Sequence, residues 1–402
     1  MAGRDTPQGR GAVFDVRILL CLLLVFLAGC GGTPTAADTA KADVQHLLDQ
    51  RAVAVLDRDK AAMAKTGTAD WFENVSAVPL ASWSYKVTAV RRTGATATAD
   101  AELRYQVQGY DSAPVTVART LSLSLDASDH WYVVGEKPAE KAPQQLWDQG
   151  EVTVVRGKRS MVLGVGQSGE KLHSFADLAD RAVPAVSDTW GTEWSRHVVV
   201  LVPKSLEGMA GLLGSPASSY RGIAAVTTGE TGAPAQAPAD RIIVNPDAYA
   251  LLGVLGRQVV LTHETTHVAT RKDTTAATPL WLSEGYADWV GYRGTGRTPA
   301  EAAPELAEAV TERKVPAALP SDADFGFGGT ATGLALSYES GWMACRMIAD
   351  RWSEAKLGEF YRAVGAHKKR PGAVEEALRT VLDTDLKAFT AEWQEYLRDQ
   401  LD

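Results

Sequence analysis

Leu261-Thr262-His263-Glu264-Thr265-Thr266-His267-Val268-Ala269 is the stretch from which the rest of the chain is best read. It follows an apolar run from Tyr249 through Val260, and the pattern predicts a helix across both. On a helix, His263 and His267 stand one turn apart and point the same way, so their imidazoles can share one metal ion. Glu264 is offset by one residue and reaches a water beside that ion rather than the ion itself. These residue types at this spacing point to zinc and to activated water.

A catalytic zinc ion takes three protein ligands and leaves one position open. After a turn ending at Pro279, the segment Leu280-Trp281-Leu282-Ser283-Glu284-Gly285-Tyr286-Ala287-Asp288-Trp289 predicts a second helix, packed through Trp281, Leu282, Ala287 and Trp289. The chain between the two is long enough to turn and lay them side by side. Glu284 is the expected third ligand. Asp288, one turn further on, is the expected acceptor for the free ring N–H of a ligand histidine. An isolated helix glutamate would read as a solvated carboxylate; its place after the histidine pair argues for ligation.

Together His263, Glu264, His267 and Glu284 resemble the gluzincin metallopeptidases, the thermolysin-like and aminopeptidase-like superfamily, and within it the peptidase-MA-like group. Asp288 matches the Glu-x-x-x-Asp element of that group. The motif match covers residues 263–289, and the resemblance in fold extends from about 150 to 402. It implies a zinc-dependent hydrolase of peptide or protein substrates, with Glu264 taking the proton of water and passing it to the leaving amine. It also implies a Tyr or His that binds the oxyanion. Tyr338, where Leu336-Ser337-Tyr338-Glu339 opens a helix, is the candidate, with plain packing at a helix start as the other reading.

Gluzincins bind extended substrate along an edge strand, a role open to Gly222-Ile223-Ala224-Ala225-Val226-Thr227. The Gly-x-Met-Glu-Asn strand of the aminopeptidases, whose Glu holds a free amine, is absent, which favours an endopeptidase. Thr270 and Asp273 stand where metzincins have Gly and His, which sets that group aside.

The start of the chain reads as an export signal. Arg4, Arg10 and Arg17 precede the apolar run Ile18–Leu27, which is too short to span a bilayer. Leu27-Ala28-Gly29-Cys30 resembles a bacterial lipobox, in which the Cys thiol carries diacylglycerol and becomes the first residue after cleavage. That resemblance implies removal of 1–29, a flexible tether over 30–40, and a membrane anchor at Cys30 on the extracytoplasmic face. Cys345 would then be the one remaining free thiol, unable to form an internal disulfide and read as a small buried hydrophobe.

Within the mature chain, apolar spacings of three and four predict a helix over about 40–66. Alternation then predicts strands at Trp83–Val90, Ala101–Gln108, Val115–Leu125 and Trp131–Val134. This α+β unit, 41–146, resembles the cone-shaped nuclear-transport-factor-two-like superfamily in element order. A Pro- and Lys-containing connection, Lys137–Pro143, leads to the second unit, 147–402. There, strands at Val152–Val155, Met161–Val165, His197–Val202, Ile223–Thr227 and Arg241–Val244 enclose a helix at Phe175–Trp190, and from Asp247 onward the chain reads as helical. A small sheet followed by helices is the order of a thermolysin-like α+β domain. Thr228–Asp240, rich in Gly, Pro and Ala, reads as a loop.

The chain has 402 residues, 45% apolar and 22% charged, which suits globular domains. Its net charge is −8 with no Lys/Arg-rich run, so binding to nucleic acid through a basic face is excluded. His46, His130, His173 and His367 sit in polar surroundings and read as surface residues, and His197 as structural. The rival to a lipid-anchored zinc peptidase is a non-catalytic binding lipoprotein with a vestigial peptidase fold. Retention of every ligand and of Glu264 argues against it.

Overall fold

The computed structural model describes residues 36–229, 237–326 and 330–402. The expected signal segment, with Cys30, lies outside them. No helix among the described residues is long and apolar enough to cross a membrane.

Helix α1 (Ala36–Asp57) opens the N-terminal unit, so helix begins within the stretch read as tether. It buries Val44, Leu47, Leu48, Ala52 and Val55, whereas Leu56, counted on the same face from sequence, is 41% exposed. The helix expected to continue to residue 66 breaks at Arg58, whose φ of 56° is left-handed. Asp59 then caps α2 (Lys60–Lys65) by accepting from the Ala62 N–H at 2.9 Å. After the short α3 (Phe72–Val75) come β1 (Leu80–Thr93), β2 (Thr96–Val107), β3 (Val115–Leu125) and β4 (Trp131–Pro138). They form an antiparallel meander in chain order, with Tyr85 opposite Leu103 and Leu103 opposite Val117.

The second sheet contains β5 (Val152–Arg156), β6 (Ser160–Val165), β7 (Val198–Val202), β8 (Ala225–Thr227) and β9 (Arg241–Val244), in the order β5-β6-β7-β9-β8. β6, β7 and β9 run parallel, and β5 and β8 are antiparallel edges. Every residue of β6 is buried, as expected of a parallel strand covered on both faces. Met161, Leu163 and Val165 join the core of the N-terminal unit. Val162 points the other way, into a core with Leu172 and Phe175 of α4 (Gly169–Trp190) and Leu261. The sheet is thus the middle of three layers. At its margin Asp111 ties the units together: its carboxylate takes both terminal nitrogens of Arg241 at 2.9 and 2.8 Å and the Ala239 N–H at 2.9 Å. Helix α5 (Leu206–Leu213), started by Ser205, was not evident from periodicity.

Beyond β9 the described chain is helical, as expected. α6 (Pro246–Ala250) is separate from α7 (Val254–Thr270), so the apolar run before the histidines is broken, leaving Leu251 88% exposed. α8 (Leu280–Tyr292), α9 (Pro299–Ala302) and α10 (Pro304–Thr311) follow, then α11 (Ala331–Arg351), α12 (Glu354–Ala366), α13 (Ala373–Val381) and α14 (Leu386–Leu401). α8 crosses α11 at two glycines. A Cβ on Gly285 would stand 2.3 Å from the Gly341 carbonyl, and one on Gly341 would stand 2.6 Å from the Trp281 carbonyl oxygen. Nothing larger fits either position, and this contact fixes Glu284 and Tyr338 relative to each other. Cys345, one turn further along α11, is fully buried, as expected.

Candidate metal centre

α7 and α8 lie side by side and bring together three donors far apart in sequence. His263 Nε2 and His267 Nε2 are 3.0 Å apart. Glu284 Oε2 is 3.2 Å from the first and 3.4 Å from the second. A tetrahedral ion with ligands at about 2.0–2.1 Å needs donor separations of roughly 3.3–3.4 Å. Two imidazole nitrogens and one carboxylate oxygen at this spacing fit zinc, and no other such group of three occurs among the described residues. All three side chains are 13–17% exposed, so the centre is recessed but reachable.

Asp288 Oδ1 lies 2.7 Å from His263 Nδ1. Burial disfavours the imidazolium of His263, but Asp288, Glu284 and Glu264 outweigh it and hold its pKa well above the usual value. Burial would likewise raise Glu284, yet His267 and His263 hold its carboxyl far below the ordinary range. Both shifts arise from the attraction between the imidazoles and the carboxylates that face them.

Glu264 is 6% exposed and is held from an unexpected direction. Thr227 Oγ1, on edge strand β8, lies 2.6 Å from Glu264 Oε2 and 3.1 Å from the Glu264 carbonyl oxygen. In the sequence Thr227 ends a candidate edge strand, and no local pattern there signals a contact with Glu264.

Two cavities, of about 410 and 570 Å³, share Ile223, Ala225, His263, Glu264 and Tyr338. They form a cleft that approaches the centre from both sides along β8. The smaller is lined by hydroxyls, among them Thr275, Thr278 and Ser283; the larger has an aliphatic wall of Val259, Val260 and Leu334. Tyr338 therefore reaches the same cleft. Its ring meets Phe325 edge-on at 5.2 Å. Burial, then the charges of Glu284, Asp288 and Glu264, push its pKa far up, so the phenol keeps the proton it would donate. Among the other histidines, His46, His130 and His173 are exposed, His367 is half-buried, and His197 packs edge-on against Tyr110 at 4.8 Å. A larger cavity of about 640 Å³ lies between the two sheets and holds none of these donors.

No known sequence family matches the chain, and no curated protein does. Solved structures do. Yeast LTA4 hydrolase is similar at 10% identity and a TM-score of 0.38, over 74% of this chain and 50% of the yeast protein, so the chain spans about half of that enzyme's length. The M1 zinc metallopeptidase of Deinococcus radiodurans is similar at 13% identity and a TM-score of 0.33, covering 81% of this chain and 94% of that one. At scores this low, likeness decides nothing about activity, and the geometry of the centre carries the functional reading.

Proposed function

We propose that this chain is a zinc-dependent peptidase of the gluzincin type that hydrolyses internal peptide bonds. The observation that carries this reading is the convergence of His263, His267 and Glu284 within 3.4 Å of one another. When bound there, zinc supplies a Lewis acid that polarises a carbonyl and acidifies water.

The remaining work belongs to the chain's own side chains. Once the Nε2 proton of His263 is displaced on metal binding, Asp288 accepts the remaining Nδ1–H and keeps the Nε2 lone pair toward the centre. Glu264 takes a proton from the attacking water and passes it to the departing amine. Tyr338 donates to the carbonyl oxygen as charge develops on it; removing one such donor elsewhere costs about 2.7–4 kcal/mol. β8 offers its free edge to an extended substrate. Residues 223–227 carry no acid that would hold a free amine, and the cleft continues past the centre on both sides, which supports internal cleavage.

Digestion of a denatured proteome, with and without chelator, tests this. Cleavage that stops with chelator and returns with zinc is expected. No cleavage by zinc-loaded protein would favour the binding-lipoprotein reading.

We also propose that Cys30 carries a lipid anchor holding the protein on the extracytoplasmic face of the membrane. Leu27-Ala28-Gly29-Cys30 after a short apolar run supports this.

A further inference from the structure

We infer that Thr227 is a positioning residue: it fixes the carboxylate of Glu264 and so couples the base to the strand beside which substrate lies. This rests on reading Glu264 as the proton acceptor.

A glutamate side chain has three rotatable torsions, and ordering it costs appreciable conformational entropy. Glu264 is buried at the floor of the cleft beside two proposed ligands, where an unrestrained carboxylate could swing toward the ion or away from the water. Its Oε2 is 2.6 Å from Thr227 Oγ1, the short distance of a charge-assisted hydrogen bond. Oε1 has no hydrogen-bond donor among the described residues and is the oxygen left for a proton in transit. The backbone of Thr227 is itself anchored, since it pairs with Ile242 across the β8–β9 ladder. The hydroxyl also lies 3.1 Å from the Glu264 carbonyl oxygen, so it touches both ends of the same residue. The strand does not need this hydroxyl for its ladder.

The bond therefore fixes where the base stands relative to β8. It adds nothing to the ligand set and predicts no change in metal binding. Loss of the hydroxyl should leave substrate binding alone and slow the proton-transfer step, since a misplacement of about 1 Å can cost about 100-fold in rate.

Three variants test this: Thr227→Val, Thr227→Ala and Thr227→Ser. Their kcat and KM on one peptide are measured together with zinc content and thermal midpoint. Val and Ala should lower kcat by about 10–100-fold with KM within about twofold and full zinc. Ser, which keeps the hydroxyl, should stay within about threefold of wild type. Wild-type kcat in Val, a loss in Ser equal to that in Val, or a change confined to KM would overturn the assignment. A crystal structure of Thr227→Val gives a readout independent of activity. The Glu264 carboxylate should leave its wild-type rotamer, and an unmoved carboxylate would overturn the inference even if wild type hydrolyses nothing, an outcome that would separately refute the peptidase reading.

Discussion

Asp288 Oδ1 lies 2.7 Å from His263 Nδ1 while Glu284, one turn earlier on the same helix, faces the other nitrogen of that imidazole at 3.2 Å. One helix thus grips both sides of a ring presented by its neighbour. The two carboxylates should differ in effect. Glu284→Ala removes a donor and should lose most bound zinc. Asp288→Ala leaves the donors in place and should weaken zinc affinity by about 10–100-fold. Zinc titration against a competing chelator separates them, and equal losses would mean the assigned roles are wrong.

The glycine crossing of α8 and α11 should be intolerant of a single methyl group. With backbone atoms 2.3 Å from the added Cβ, Gly285→Ala must push the helices apart. Overpacking of this kind typically costs about 1–3 kcal/mol. A lower thermal midpoint together with reduced zinc affinity is expected, because Glu284 is the adjacent residue. A midpoint unchanged from wild type would show that the helices separate freely.

Stability should fall as pH rises toward weakly basic values. Burial, and then its contact with Glu305, pushes the Glu339 carboxyl up to about 8 from the usual 4.5. In that window the folded chain holds a proton that the unfolded chain has released, so folding is progressively disfavoured between about 4.5 and 8. Glu305 is held low by the same contact and opposes the trend only on the acid side. Thermal midpoints across this range should decline for wild type, and Glu339→Gln should flatten the decline. Parallel profiles for the two proteins would count against this pair as the cause.

Lipid attachment is checked at Cys30. The Cys30→Ser protein should take up no labelled fatty acid and should be released or left unprocessed; normal incorporation would place the anchor elsewhere.

The chemistry was legible in the sequence because its donors sit on two helices whose periodicity displays them. His263 and His267 share a face by spacing alone, and Glu284 follows on the next helix. What was not legible is whatever depends on a distant partner. Thr227 reaches Glu264 across 37 positions, from a short strand whose sequence names no partner for the hydroxyl. From Met161 onward β6 has no polar side chain, so its sequence does not reveal that Met161, Leu163 and Val165 pack on the N-terminal sheet while Val162 packs on the helices. The break of the first helix at Arg58 is a backbone event at a residue with ordinary helix propensity.

The most direct test of the peptidase reading is Glu264→Gln, assayed for zinc content and for hydrolysis on a broad peptide library. Gln keeps the shape of Glu264 but cannot take the proton of water at neutral pH. A folded protein with full zinc and a rate lower by about 100–10,000-fold is expected. Cleavage by the variant at the wild-type rate would contradict the role given to Glu264.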